Sequence, residues 1–244
     1  MRLSLIPCLI LMGGCAHTPP TADINGLWIN QAAIDSAAQG RPLSRALATH
    51  GPNLEWNIDT QNGKAQFSNG FELGEGHLLQ KAPGVWSVDY DGDSSDELRS
   101  DPRQLLQQAG KYTPAQVFRR PLLPAAPATK WGTTFRQALN AAYMSGRWKI
   151  VEGQGAGNFV EFRADGSVSG LANKDRYELC LGGDCATQGA GNDTLYLGMG
   201  DVGEEWIFVR YGNQLEFLQA LNLSQPDEIP QLTPGSRQWL LEKQ

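Results

Sequence analysis

Histidine is scarce in this chain: only His17, His50 and His77 occur in 244 residues, too few for a histidine-rich metal centre. Basic runs are missing too. Lys and Arg number 20 against 26 Asp and Glu, and the formal charge of -6 argues against nucleic acid as a partner. No Gly-x-Ser-x-Gly elbow and no His-Glu-x-x-His helix occurs, which removes two common hydrolase signatures. The apolar run Leu3 through Met12 is too short to span a bilayer. Cysteine is limited to Cys8, Cys15, Cys180 and Cys185.

What is present begins at the N-terminus. Met1-Arg2 followed by Leu3 through Met12 has the positive start and short apolar core of a secretory signal. It ends in Met12-Gly13-Gly14-Cys15, which resembles the lipobox of bacterial lipoproteins: an apolar residue, two small residues, then the cysteine that receives lipid. Met12 stands where Leu is commonest. The alternative is an ordinary secretory signal with a chance cysteine at its end. His17-Thr18-Pro19-Pro20-Thr21 then reads as a polar tether, the spacer an anchored domain needs. The resemblance implies lipidation of Cys15 and, because Ala16 rather than Asp follows it, an outer-membrane location facing the periplasm. With Cys8 removed and Cys15 lipidated, Cys180 and Cys185 remain, and in an oxidising compartment they most simply form a disulfide.

Pro114, Pro121, Pro124 and Pro127 mark an extended linker at 113–130, between two segments of similar grammar. The first opens on Gly26-Leu27-Trp28-Ile29 and the second on Gly146-Arg147-Trp148-Lys149. Leu54-Glu55-Trp56-Asn57-Ile58 alternates with period two and turns at Asn62-Gly63. Phe159-Val160-Glu161-Phe162 does the same and turns at Asp165-Gly166, so each half predicts a hairpin. Val85 to Tyr90 and Trp206 to Tyr211 supply a later Trp-bearing strand in each half, and the whole reads as a tandem duplication. Helices are predicted over Thr134–Tyr143, with Phe135, Leu139 and Ala142 on one face and Thr133 or Thr134 as cap, and over Asp101–Ala109. The fold class expected is all-β with a few short helices: two tandem small antiparallel barrels or sandwiches. The expected organisation is signal 1–14, tether 15–23, first β domain 24–112, linker 113–130 and second β domain 131–244.

A Gly-x-Trp at the start of a first strand, after a short helix or turn, resembles the hallmark of the calycins, the lipocalin and avidin-like barrels. The resemblance implies that Trp28 and Trp148 each close one end of a barrel, with Arg210 as the late-strand cation over the second. Gly26 to Gln31 is similar to the first strand of avidins. Ala32, Ala33 and Ile34 stand where the biotin-binding Ser should follow, so biotin binding is not carried over. Each half is short for a lipocalin, which implies a smaller or incomplete barrel.

Three constellations carry candidate chemistry. Asp89, Asp91, Asp93 and Glu97 are spaced as the oxygens of a calcium loop, with Gly92 permitting the turn; the alternative is an acidic hairpin left in water, with no cofactor. Cys180 and Cys185 enclose Gly182-Gly183 and are expected to face each other across a hairpin. Glu72, Glu75 and His77 have the residue types for acid and base work, against the plainer reading of a surface strand. Gly153 to Gly157 precedes a strand rather than a helix, so it reads as a hairpin and not a phosphate loop.

The expected function is that of a membrane-anchored envelope lipoprotein whose β domains bind a small apolar ligand or an envelope partner. The alternatives are a structural scaffold without ligand and a hydrolase using Glu72, Glu75 and His77. Trp28, Trp56, Trp148 and Trp206 discriminate: cavities lined by them favour an enclosed ligand, and interiors filled by them do not.

Overall fold

The computed structural model describes residues 23–92, 94–111, 113–122, 130–225 and 227–244. The signal, Cys15 and the tether therefore lie outside the described residues, apart from the tether's last residue, Asp23.

The first half forms an eight-stranded antiparallel sheet in chain order. Its strands are β1 (Gly26–Ile29), β2 (Glu55–Asp59), β3 (Lys64–Ser68), β4 (Leu73–Ala82), β5 (Val85–Asp89), β6 (Ser95–Asp101), β7 (Gln104–Gln107) and β8 (Gln116–Phe118). The last strand returns to the first: Ile29 and Arg119 exchange backbone hydrogen bonds of 2.8 and 2.9 Å and nearly close the barrel. The second half repeats the design with β9 (Gly146–Gly153), β10 (Phe159–Phe162), β11 (Val168–Ser169), β12 (Arg176–Leu179), β13 (Thr194–Met199), β14 (Val202–Tyr211), β15 (Gln214–Asn222) and β16 (Leu232–Lys243). Here β9 and β16 pair along their length, and the weak seam is the single bridge Ser167 to Arg176 between β11 and β12. Each half is thus a small, nearly closed eight-stranded barrel-like sheet, in keeping with the expected fold class.

Period-two alternation builds both interiors. Trp28, Trp56, Ile58, Leu78, Val88 and Phe118 fill the first, and Trp148, Phe162, Tyr177, Trp206, Phe217 and Trp239 the second. Gly74 and Gly76 in β4 are required by this packing: a Cβ on Gly74 would sit 2.3 Å from the Phe67 ring, and one on Gly76 2.6 Å from Val88. The likeness of the two halves extends to one hydrogen bond. The Trp28 indole N–H donates to the Ile24 carbonyl at 2.8 Å, and the Trp148 indole N–H donates to the Met144 carbonyl at 3.0 Å, the same four-residue step back in each half.

Among the described residues four helices join and cover the barrels: α1 (Gln31–Ala38) and α2 (Leu43–His50) between the first two strands, α3 (Thr134–Tyr143) ahead of β9, and α4 (Gly183–Gln188). Ile34, Leu43 and Leu47 share one apolar cluster with Phe135, Leu139 and Tyr143 and with the second interior, so the first half's helices complete the second half's core. Carboxylates lock this junction in both directions. Asp193 of the second half accepts the Leu43 and Ser44 amides at 2.6 and 2.8 Å and caps α2. Glu55 of the first half accepts the Gly132 and Phe135 amides at 3.2 and 2.8 Å and caps α3.

Several expectations change. The Asp101–Ala109 segment is a β6–β7 hairpin, because Leu98, Leu105 and the buried amide Gln107 alternate inward, and Asp101 accepts the Arg103 amide to make the turn. The stretch 113–130 is no plain linker, since it contributes β8 to the first barrel. Ala142 is exposed and Tyr143 takes its place on the α3 face; Thr133 is the N-cap residue, as expected, but its hydroxyl donates to the Lys130 carbonyl and makes no hydrogen bond to the helix. Arg210 lies over Tyr143, 4.6 Å from the ring centroid, and Lys243 lies over Trp148 at 5.4 Å. In the first half the cation over Trp28 is Arg120, at 3.8 Å, from the stretch read as linker. The Trp-bearing strands do not correspond in order: β5 is the fifth of its barrel and β14 the sixth.

Candidate functional site

Two grooves lie on the outside of the barrels. One is an open crease of about 950 Å³ where the outer face of β12 and β13 meets α3 and the β3–β4 turn of the first half. Since Tyr177, Leu179, Leu195 and Leu197 point into the core, the alternate residues Arg176, Glu178 and Tyr196 stand on the outer face. The register places Glu178 opposite Tyr196 and Tyr196 opposite Glu205, so one row across three strands reads Glu178, Tyr196, Glu205.

The Tyr196 ring lies down on the sheet. A Cβ on Gly203 would meet its Cζ at 2.3 Å and one on Gly198 its Cε1 at 2.7 Å, so only glycine at both places leaves the ring its bed. Arg176 stands beside it, its guanidinium carbon 5.9 Å from the ring centroid. On the opposite wall Phe71, 55% exposed, lies over Gly183, whose Cβ would fall 2.1 Å from the ring. Two aromatic faces seated on glycine thus border one groove.

Arg136 of α3 clamps the walls together. Its guanidinium donates to the Leu179 carbonyl at 2.7 Å and the Gly70 carbonyl at 3.3 Å, and it reaches the Glu178 carboxylate at 3.2 Å. Burial pulls its pKa below the usual arginine value, against the pull of Glu178. Asp165 also lines the crease and is held below the ordinary carboxylate range, chiefly by hydrogen bonds from Ser167. The balance of Arg136 and Arg176 against Asp165, Glu178 and Glu205 is close to neutral.

The disulfide Cys180–Cys185 borders the crease. Its second cysteine lies in α4, so a short helix replaces the hairpin expected after Gly183. A second groove of about 530 Å³, lined by Leu47, Pro52, Pro114 and Ala186 among others, shares Cys180, Leu181 and Gly182 with the first.

The other candidates stay apart. Asp93 lies outside the described residues. Asp89 accepts the Ser87 hydroxyl and lies 3.9 Å from Lys81, while Glu97 is bound by Arg99 at 2.7 Å. Among the described residues no group of three or more acids, histidines or cysteines is gathered for a metal ion. Glu72 accepts from Asn69 at 3.3 Å, Glu75 is held by Lys64 and Gln66 at 3.0 and 2.8 Å, and His77 is exposed on the next outward position of β4. None of the three lines the crease.

Compared with protein-family models, curated proteins and solved structures, the chain matches none. The residues of the crease were missed in the sequence because they come from three distant segments. The one local signal was Tyr196-Leu197-Gly198, an aromatic residue with glycine on the same strand face.

Proposed function

We propose that this chain is a lipid-anchored envelope protein that takes an envelope partner on the crease between its barrels, the barrels themselves serving as a rigid frame. The observation that carries this reading is the filling of both interiors: Trp28, Trp56, Trp148 and Trp206 are 3%, 0%, 0% and 7% exposed and pack into apolar clusters. A ligand site needs concave, accessible surface with a few placed polar groups, and the crease offers it. Anchoring rests on Met12-Gly13-Gly14-Cys15, and the Cys180–Cys185 bridge fits an oxidising compartment. The Gly-x-Trp pair with its repeated indole hydrogen bond, and a cation over each ring, supports the calycin reading of the two barrels.

Two measurements test the parts separately. Labelling cells with an alkyne palmitate should tag the wild type and not Cys15→Ser, which should leave the membrane fraction; an unlabelled wild type removes the anchor. A photo-crosslinking residue at Phe71 should give an adduct in cells, while one at Tyr211, which is 81% exposed and away from the crease, should not. Equal adducts from both positions, or none from Phe71, remove the binding site.

A further inference from the structure

The crease has a more specific chemistry than a general docking surface. Its two aromatic side chains are not inserted between neighbours but laid flat, Tyr196 on Gly198 and Gly203 and Phe71 on Gly183, so each ring gives one face to the sheet or loop and the other to the groove. Cross-strand partners on one sheet face stand about 5 Å apart at Cβ, so Glu178 and Glu205 flank Tyr196 on either side, and Arg176 stands at its edge. A flat apolar face bordered by planar donors and acceptors matches one kind of ligand closely. A pyranose ring has an apolar face of axial C–H groups, which stacks on an aromatic ring, and a rim of equatorial hydroxyls, which carboxylates accept and guanidinium groups donate to.

We infer that the crease binds a neutral glycan chain, with Tyr196 and Phe71 as stacking platforms and Glu178, Glu205 and Arg176 as hydroxyl partners. This rests on the crease being the binding site proposed above. Three observations favour a glycan over other polymers. The charges nearly cancel, which gives a polyanion no net attraction. The groove is open to solvent, so a chain can enter and leave without being enclosed. Charged groups, Arg176, Glu178 and Glu205, stand around the Tyr196 ring and break up the apolar lining, whereas a peptide helix would need a continuous apolar trough. The Arg136 clamp holds the two walls in one arrangement, so that the platforms are set before binding, which reduces the ordering cost.

The test uses the full chain purified in a detergent without a sugar headgroup, titrated with cellohexaose and with chitohexaose by calorimetry. The wild type should bind at least one of them, and Tyr196→Ala should weaken that binding about ten-fold or more, as loss of a stacking platform worth about 1.4 kcal/mol implies. Glu205→Gln should weaken it while leaving the thermal midpoint near that of the wild type, since Glu205 is on the outer face and outside the Arg136 clamp. No binding of either oligosaccharide, or binding that Tyr196→Ala leaves intact, overturns the glycan reading. A Phe71 photo-adduct that is protein rather than glycan overturns it too, yet leaves the crease as the binding site.

Discussion

The Glu55 carboxylate of the first barrel accepts the Phe135 amide at 2.8 Å, so a strand of one barrel caps the helix that leads into the other. Glu55 is fully buried, and burial raises its pKa above the ordinary 4.5 although the backbone amides of Phe135, Gly132 and Thr134 pull the other way. The native state therefore holds this proton more tightly than the unfolded chain. Its contribution is fullest below the unfolded value and is lost as pH rises through the raised folded one. Wild type should lose thermal stability relative to Glu55→Gln as pH rises from the ordinary carboxylate value through the raised one. Parallel melting curves for the two across that window would refute the assignment.

The reciprocal cap is Asp193 on the α2 amides of Leu43 and Ser44. Removing it as Asp193→Ala should cost about 1–2 kcal/mol, with Asp193→Asn between the two. In a chain of this size each kcal/mol lowers the melting midpoint by about 2–4 °C. Because α2 belongs to the first half and Asp193 to the second, the melt should remain a single transition only if the halves unfold together. Two separated transitions in the variant would locate the cap as what couples them.

The paired indole bonds predict a ranking. Trp28→Phe and Trp148→Phe each leave a buried carbonyl, of Ile24 or Met144, without its donor, at about 1–3 kcal/mol. Arg120→Ala removes a cation over Trp28 on the exposed side, worth about 0.5–1 kcal/mol. Denaturant midpoints should therefore fall more for either tryptophan than for the arginine.

The barrel strands were largely legible because alternation is local: Trp56 and Ile58 against Asn57, or Val160 and Phe162 against Glu161, announce one buried face. The α3 span was legible for the same reason, through Phe135 and Leu139. The α1 and α2 helices were not, since Gln31–Ala38 is mostly small residues and α2 opens after Pro42 without a side-chain cap. Their apolar faces acquire meaning only against α3 and the second interior. The caps themselves are carried by Glu55 and Asp193, far away in sequence. The crease fails to announce itself for a stronger reason: Phe71 finds Gly183, and Arg136 finds Gly70 and Leu179, only once both barrels exist. The Asp101–Ala109 segment misled because buried Gln107 is polar and hides the alternation.

The Cys180–Cys185 bridge closes a short loop, so it should contribute near or below the low end of the usual range of about 2–4 kcal/mol. Alkylation of the native protein followed by intact mass should label neither cysteine. Labelling of both would deny the bridge.

For the acidic turn, Asp89 and Glu97 already have partners, so millimolar calcium should leave the melting midpoint unmoved. A rise of several degrees would instead assign Asp89, Asp91, Asp93 and Glu97 to a calcium site.

The central claim is that this protein binds on its outer crease and not inside its barrels. Titration with the apolar fluorophore N-phenyl-1-naphthylamine, under native conditions, tests it most directly. The packed interiors predict no saturable rise in fluorescence and no change in tryptophan emission. Saturable binding of one probe per chain, with quenching of the buried tryptophans, would contradict it.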